Sequence, residues 1–399
     1  MRRHDLVAAY RDRPKVGLVG FFGWGNYGDE LFVQLWRRAL SRYFDVSVVH
    51  DLLVPPYLSE EPATVADRYE AFVIGGGDLV LTDRVSELYW RPEWLEKPVY
   101  ICGVGVPLHD RLQRPPVIET MARFFSHPNV QYISARDEES AAWIRSHLRP
   151  RVPVLVHPDL VFGLQLPAPD PSLMGTAGQP TLGISVRQGK FGQDNDYTGL
   201  ASLVRAARER GYAISAVELG NGRQRHRDAP ALNQLPFTLD SVVSGRTPDE
   251  ISAAIGSLTA FASMKFHGLL VALRYGVPAL ALTANTKNSH VLTDIGRPDL
   301  IADLDGGQDL APRLRSLEQP LDPTVIRRLS ADAADAVDAL VRQLRVQLNP
   351  GSFRPRSFAD TGAAWDSVVR EALPTAVDLA RRRTRLARMD RESERAQRH

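Results

Sequence analysis

The sequence predicts an α/β protein in which two domains, each a parallel sheet covered by helices on both faces, meet across a cleft. Three observations lead there. Short runs rich in Val and Ile alternate with longer helical patterns, the order that a parallel sheet with crossover helices requires. The runs are almost continuously apolar, which marks strands covered on both faces. The alternation occurs twice along 399 residues, on either side of a Pro- and Gly-rich stretch, and domains usually hold about 100–200 residues each.

In chain order, strands are expected at residues 15–22, 46–50, 71–74, 99–103, 130–135 and 154–156, with helices over 29–43, 115–125 and 138–147. Pro167, Pro169, Pro171, Gly175, Gly178 and Pro180 suit a linker better than the interior of an element. Beyond it, strands are expected at 181–186, 213–219, 258–263, 277–282 and 300–304, and helices at 199–210, 248–255, 267–275 and 323–347. The expected organisation is an N-terminal domain over 1–165, a linker over 166–180, a C-terminal domain over 181–347 and an extension over 348–399. Open parallel sheets bind ligands beyond the carboxyl ends of their strands, so the residues after each strand carry the functional argument.

Composition narrows the function. Lys and Arg number 49 against 47 Asp and Glu, yet residues 381–399 alone carry +5, leaving the rest at −3. A mildly acidic body without a basic, aromatic face argues against nucleic acid as a partner. The single cysteine, Cys102, rules out an intramolecular disulfide and fits a reducing cytoplasm. Residues 1–10 lack the apolar core of a secretory signal. The longest apolar stretch, 269–283, is broken by Arg274 and Pro278 and is shorter than the ~20 residues that cross a bilayer. The basic tail reads as a solvated helix or frayed end, or as a contact with anionic lipid that would hold the protein at the inner face of a membrane.

After the first strand comes Gly25-Asn26-Tyr27-Gly28-Asp29-Glu30, leading into a helix. By themselves the glycines suit a tight turn; Asp29 and Glu30 at the helix start would repel a phosphate but could hold or deprotonate a sugar hydroxyl. Gly75-Gly76-Gly77-Asp78 and Gly103-Val104-Gly105 end two further strands, so three glycine-rich ends converge where a large ligand could approach backbone. Arg136 and Arg187 follow strands in the first and second domains and would flank the cleft as two cation sites; Arg136 can grip a carboxylate or phosphate, or simply pair with Asp137 or Glu138. The most informative segment is Ser263-Met264-Lys265-Phe266-His267-Gly268, a strand end turning into an apolar helix. Lys265 and His267 then stand at a helix N-terminus, where the dipole favours an anion, and Lys287 follows the next strand to the same mouth. The histidines lack metal-ligand spacing, so no metal is expected.

Taken in order, Gly25-Asn26-Tyr27-Gly28-Asp29, Gly75-Gly76-Gly77, Gly103-Val104-Gly105, Arg136-Asp137, Ser185-Val186-Arg187, Ser263 to Gly268, Gly276-Val277-Pro278 and Lys287 resemble the polysaccharide pyruvyltransferase family over about residues 15–345. In one respect the sequence departs from it: that family usually has Arg two residues before the His, where Lys265 keeps the charge but loses the planar two-point grip. The resemblance implies two Rossmann-like domains, similar to B-type glycosyltransferases. It also implies a reaction in which phosphoenolpyruvate gives its pyruvyl group to two hydroxyls of a sugar as a ketal, in polysaccharide or glycolipid synthesis.

On this reading the catalytic residues are His267 and Asp29, the donor is bound by Arg136, Arg187, Lys265, Gly268 and Lys287, and the acceptor by Asn26, Tyr27, Gly28, Glu30, Gly76, Gly77 and Asp78. The first domain serves the acceptor and the second the donor. Phosphoenolpyruvate is a substrate, no cofactor is expected, and the partner is a sugar, oligosaccharide or lipid-linked saccharide. The same cations and helix start could instead hold the diphosphate of a nucleotide sugar, as in a glycosyltransferase of that shape, and a noncatalytic sugar-binding protein is a third alternative.

Overall fold

The computed structural model describes residues 13–348, apart from 109–111, 176–177, 190–194 and 305–306. The arginine-rich segment 381–399 lies outside them. Among the described residues no helix is long and apolar enough to cross a membrane.

Six strands form the first sheet: β1 (Lys15–Val19), β2 (Asp45–Val48), β3 (Ala71–Gly77), β4 (Val99–Val104), β5 (Val130–Ala135) and β6 (Val154–Val156). Five form the second: β7 (Thr181–Ser185), β8 (Ala213–Val217), β9 (Ser241–Val243), β10 (Ala260–Ser263) and β11 (Ala279–Ala281). Every pairing is parallel, in the orders β2-β1-β3-β4-β5-β6 and β11-β10-β7-β8-β9. The apolar runs explain this: β3, β4, β7, β8 and β10 are buried at every position, so both faces must be covered by crossover helices.

Several features differ from the sequence expectation, the short helices Pro62–Ala66, Arg225–Leu232 and Arg313–Leu317 among them. Residues 300–304 do not form a strand; Pro298–Leu300 is a 3₁₀ turn, and Ile301 makes one isolated parallel bridge to Ala281. β9 was not anticipated, being a three-residue segment at a sheet edge. Nor was the helix Thr286–Asp294, which buries few residues and starts where the Asn285 side chain accepts the Asn288 amide at 3.0 Å.

The halves are tied together where the site lies. The first helix, Tyr27–Leu40, starts two residues earlier than its pattern suggests. The Tyr27 amide donates to the Leu219 carbonyl at 3.0 Å and the Asn221 amide to the Gly25 carbonyl at 2.7 Å, so the loop after β1 pairs with the loop after β8. Gly25 is required there: its φ is +81°, and a Cβ would lie 2.1 Å from the Asn221 carbonyl oxygen. The last described helix, Pro323–Leu348, touches the first sheet: Gln343 donates to the Gln131 carbonyl at 3.0 Å, and the Tyr100 hydroxyl donates to Gln347.

Candidate functional site

The carboxyl ends of both sheets open on one cleft. β10 delivers Ser263, whose hydroxyl accepts the Lys265 amide at 3.0 Å and donates to the Lys265 carbonyl at 2.9 Å, pinning the turn. The helix Phe266–Arg274 follows at once, anchored by its buried apolar residues, and no side chain caps its N-terminus. Its first amides therefore favour an anion at the cleft.

A pocket of about 690 Å³, open to solvent, is lined there by Lys265, His267 and Gly268, by Arg187 after β7, by Lys287 after β11, and by Asn26, Tyr27 and Gly28 from the first domain. These eight residues, separated in sequence by up to 261 positions, thus share one cavity. Lys265 Nζ lies 2.6 Å from the Asp228 carboxylate, which is only 1% exposed and also accepts the Leu219 amide at 2.9 Å.

His267 is held between rings. Phe32 meets it edge-on at 5.6 Å and Phe266 at 5.1 Å. Gly28 passes so close that a Cβ there would fall 1.9 Å from His267 Nδ1. On the opposite side, Nε2 faces Asp159 Oδ2 at 3.7 Å. Burial pushes the Asp159 carboxyl up, but the facing His267, then Arg136 and the Val161 amide, outweigh it and hold the group below the usual carboxylate range.

A second opening, about 1040 Å³ with its mouth, adjoins the first and shares Lys287. Asp78 sits at its edge between two cations, bonded to Arg136 and 3.1 Å from Lys287 Nζ. Burial would raise the Asp78 carboxyl, yet Arg136 and Lys287 hold it well below its ordinary value. Both cations lie over the Phe266 ring, at 5.4 and 5.5 Å. Asp78, grouped in the sequence with the acceptor side, therefore joins two residues grouped with the donor.

Other expected residues face inward. The Tyr27 hydroxyl lies 2.7 Å from Ser252 Oγ, buried between the domains, so only the rest of that residue reaches the pocket. Glu30 Oε1 accepts the amides of Gly23 at 2.8 Å and Gly25 at 3.1 Å, and so braces the loop; burial raises its pKa against those bonds. Asp29 is buried and accepts a bond from the Asn26 amide; burial and the neighbouring Glu30 push it well above the usual carboxylate range. It stands behind Gly77, whose Cβ position is 3.8 Å from Asp29 Oδ1. The space beside Gly76 is filled by the Phe32 ring and that beside Gly105 by the Arg136 guanidinium. These two glycines thus admit the protein's own side chains, where the sequence suggested room for a ligand.

Sequence reasoning passed over Asp159 and Asp228. Asp159 had a signal: it follows β6 by three residues, at the strand-end position that singled out Arg136 and Lys265. Asp228 lies in the helix Arg225–Leu232, which has almost no amphipathic pattern to reveal it.

The family model for polysaccharide pyruvyl transferase matches residues 26–285, from the loop after β1 to the loop after β11. The chain belongs to the polysaccharide pyruvyl transferase family. Both openings are lined chiefly by residues within that match. No curated protein matches the sequence of this pyruvyl transferase family member. Among solved structures it is similar to Staphylococcus aureus MnaA with UDP, at 9% identity and a TM-score of 0.55, covering 86% of this chain and 99% of that one. It is also similar to UDP-GlcNAc 2-epimerase from Neisseria meningitidis bound to UDP-GlcNAc, at 11% identity and a TM-score of 0.51, covering 83% and 99%. At such identities the likeness shows the fold alone: two Rossmann-like domains facing each other.

Proposed function

We propose that this pyruvyl transferase family member moves the pyruvyl group of phosphoenolpyruvate onto two hydroxyls of a sugar, releasing phosphate and closing a ketal, in the cytoplasm. The observation that carries the reading is the pocket in which His267 stands at a helix N-terminus among Arg187, Lys265 and Lys287. A small donor bearing both a carboxylate and a phosphate matches three cations and a helix start.

The chemistry needs an acid, then a base. A proton from the His267 ring goes to the methylene carbon as the double bond gives up its π pair, and a sugar hydroxyl bonds to the adjacent carbon. The carbon–oxygen bond to phosphate then breaks, its electron pair leaving with the phosphate, and a second hydroxyl closes the ketal. Of the two hydroxyl protons, one restores His267 and the other leaves with the phosphate. Imidazole suits this exchange because both of its forms are accessible near neutrality. Asp29, with its raised pKa, is assigned to orienting an acceptor hydroxyl over Gly77. Arg136 is buried and bonded to Asp78, so it shapes the donor side through that carboxylate and Lys287.

His267→Ala should abolish sugar-dependent phosphate release from phosphoenolpyruvate with the fold intact; undiminished turnover removes the role. A thermal-shift comparison separates the readings: stabilisation by phosphoenolpyruvate supports this one, and stabilisation by nucleotide sugars alone supports a glycosyltransferase. A lipid-linked acceptor would bring the basic segment 381–399 to an anionic surface, which requires salt-sensitive vesicle binding that is lost on its deletion.

A further inference from the structure

We infer that Asp159 is a positioning residue that holds His267 by Nε2, leaving Nδ1 as the ring atom that moves protons in the pocket. The proton-moving role of Nδ1 rests on the pyruvyl-transfer reading above, whereas the geometry of the His267–Asp159 pair is independent of the substrate.

His267 Nε2 is closed off from solvent and has no hydrogen-bond partner among the described residues; the same is true of Asp159 Oδ2. These two atoms face each other at 3.7 Å, with side chains 16% and 4% exposed. A buried polar atom left unpaired is costly, and these two are placed to satisfy each other. A shift of less than ~1 Å makes the bond, and catalytic hydrogen bonds are often long before substrate tightens them.

The other carboxylate oxygen is already fixed, accepting the Val161 amide at 3.1 Å in the turn Leu160–Gly163. Arg136, from the end of β5, is the other charge that stabilises the ionised Asp159, while Asp78 is a further carboxylate whose charge His267 feels. Asp159 is thus fixed in place, and held as the carboxylate, before any ligand arrives.

Because Nε2 is sealed, substrate can meet the ring only from its other side. There Nδ1 stands over Gly28, which lines the pocket together with His267. A carboxylate accepting the Nε2 proton leaves Nδ1 bare in the neutral ring, so the second ring proton, the one given to the methylene carbon and afterwards restored, is carried on Nδ1. Phe32 and Phe266 set the ring plane but carry no acceptor for Nε2.

The test uses the full chain labelled with ¹⁵N-histidine, with the His267 resonances assigned by their loss in His267→Gln. In the wild type the neutral ring should carry its proton on Nε2; a proton on Nδ1 overturns the inference. Asp159→Asn, which offers an amide donor in place of the acceptor, should move that proton to Nδ1. It should also lower kcat at least tenfold, and on the order of 100-fold, while the KM for phosphoenolpyruvate stays within twofold. A smaller fall in kcat, or a loss expressed in KM instead, overturns the positioning role. Should Asp159→Asn fail to fold, the wild-type tautomer decides alone. Absence of phosphate release by the wild type would remove the functional reading, yet leave the tautomer measurement able to support or sink this one.

Discussion

Gly28→Ala tests the site at its tightest contact. The residue lies in the first turn of the helix Tyr27–Leu40, where alanine suits the backbone and would, by helix propensity alone, add up to about 1 kcal/mol of stability. The new methyl would instead fall 1.9 Å from His267 Nδ1, 2.5 Å from Cγ and 2.7 Å from Cε1. Ordinary contact demands that the ring retreat by about 1.5 Å. It cannot slide freely, because Phe32 and Phe266 hold it from two sides. Displacement of a catalytic group by 1 Å costs about 10²-fold in rate, equivalent to about 2.7 kcal/mol of transition-state stabilisation. Phosphate release from phosphoenolpyruvate in the presence of acceptor should therefore fall at least 100-fold. Thermal unfolding supplies the control: combined with His267→Ala, the same substitution should cost no stability, because the clash is gone. Activity within threefold of wild type would refute both the assigned proximity and the role of that ring face.

Two further outcomes follow from buried charge. Burial holds the His50 pKa down at about 4, against the opposing bond from its Nε2 to the Phe22 carbonyl at 2.8 Å and the nearby Asp51. Between its unfolded value near 6.5 and its folded value, the unfolded chain takes up a proton that the folded protein refuses. Stability from this group is therefore complete above about pH 6.5 and is lost as the pH falls through about 4, by up to ~3 kcal/mol. His50→Gln should flatten that part of the urea-midpoint profile; parallel profiles for variant and wild type would refute the assignment. Lys265→Met strands the Asp228 carboxylate, leaving it the Leu219 amide and no cation at 2.6 Å. Denaturant unfolding should show a loss of about 3 kcal/mol, partly recovered in Lys265→Met/Asp228→Asn, whereas a loss below about 1 kcal/mol would mean that the pair behaves as an exposed one.

The sequence by itself determined the two parallel sheets and the strand ends that carry chemistry. Burial on both faces demands continuous apolar runs, which are local and readable, and Lys265, His267, Arg187 and Lys287 could be named because each follows such a run. It also specified Gly28 as a glycine, without revealing why. Tertiary structure decided the rest. Asp78 meets Arg136 and Lys287 across 58 and 209 residues, and Lys265 meets Asp228 across 37; no local pattern encodes such pairs. The same holds for Asp159 against His267, and for Phe32 filling the space beside Gly76. Residues 300–304 are apolar enough for a strand yet make only one bridge, because pairing depends on a neighbour in register and hydrophobicity asks only for burial. A linear pattern reports which side chains must leave water; which of them then touch is set when the two sheets close on one another.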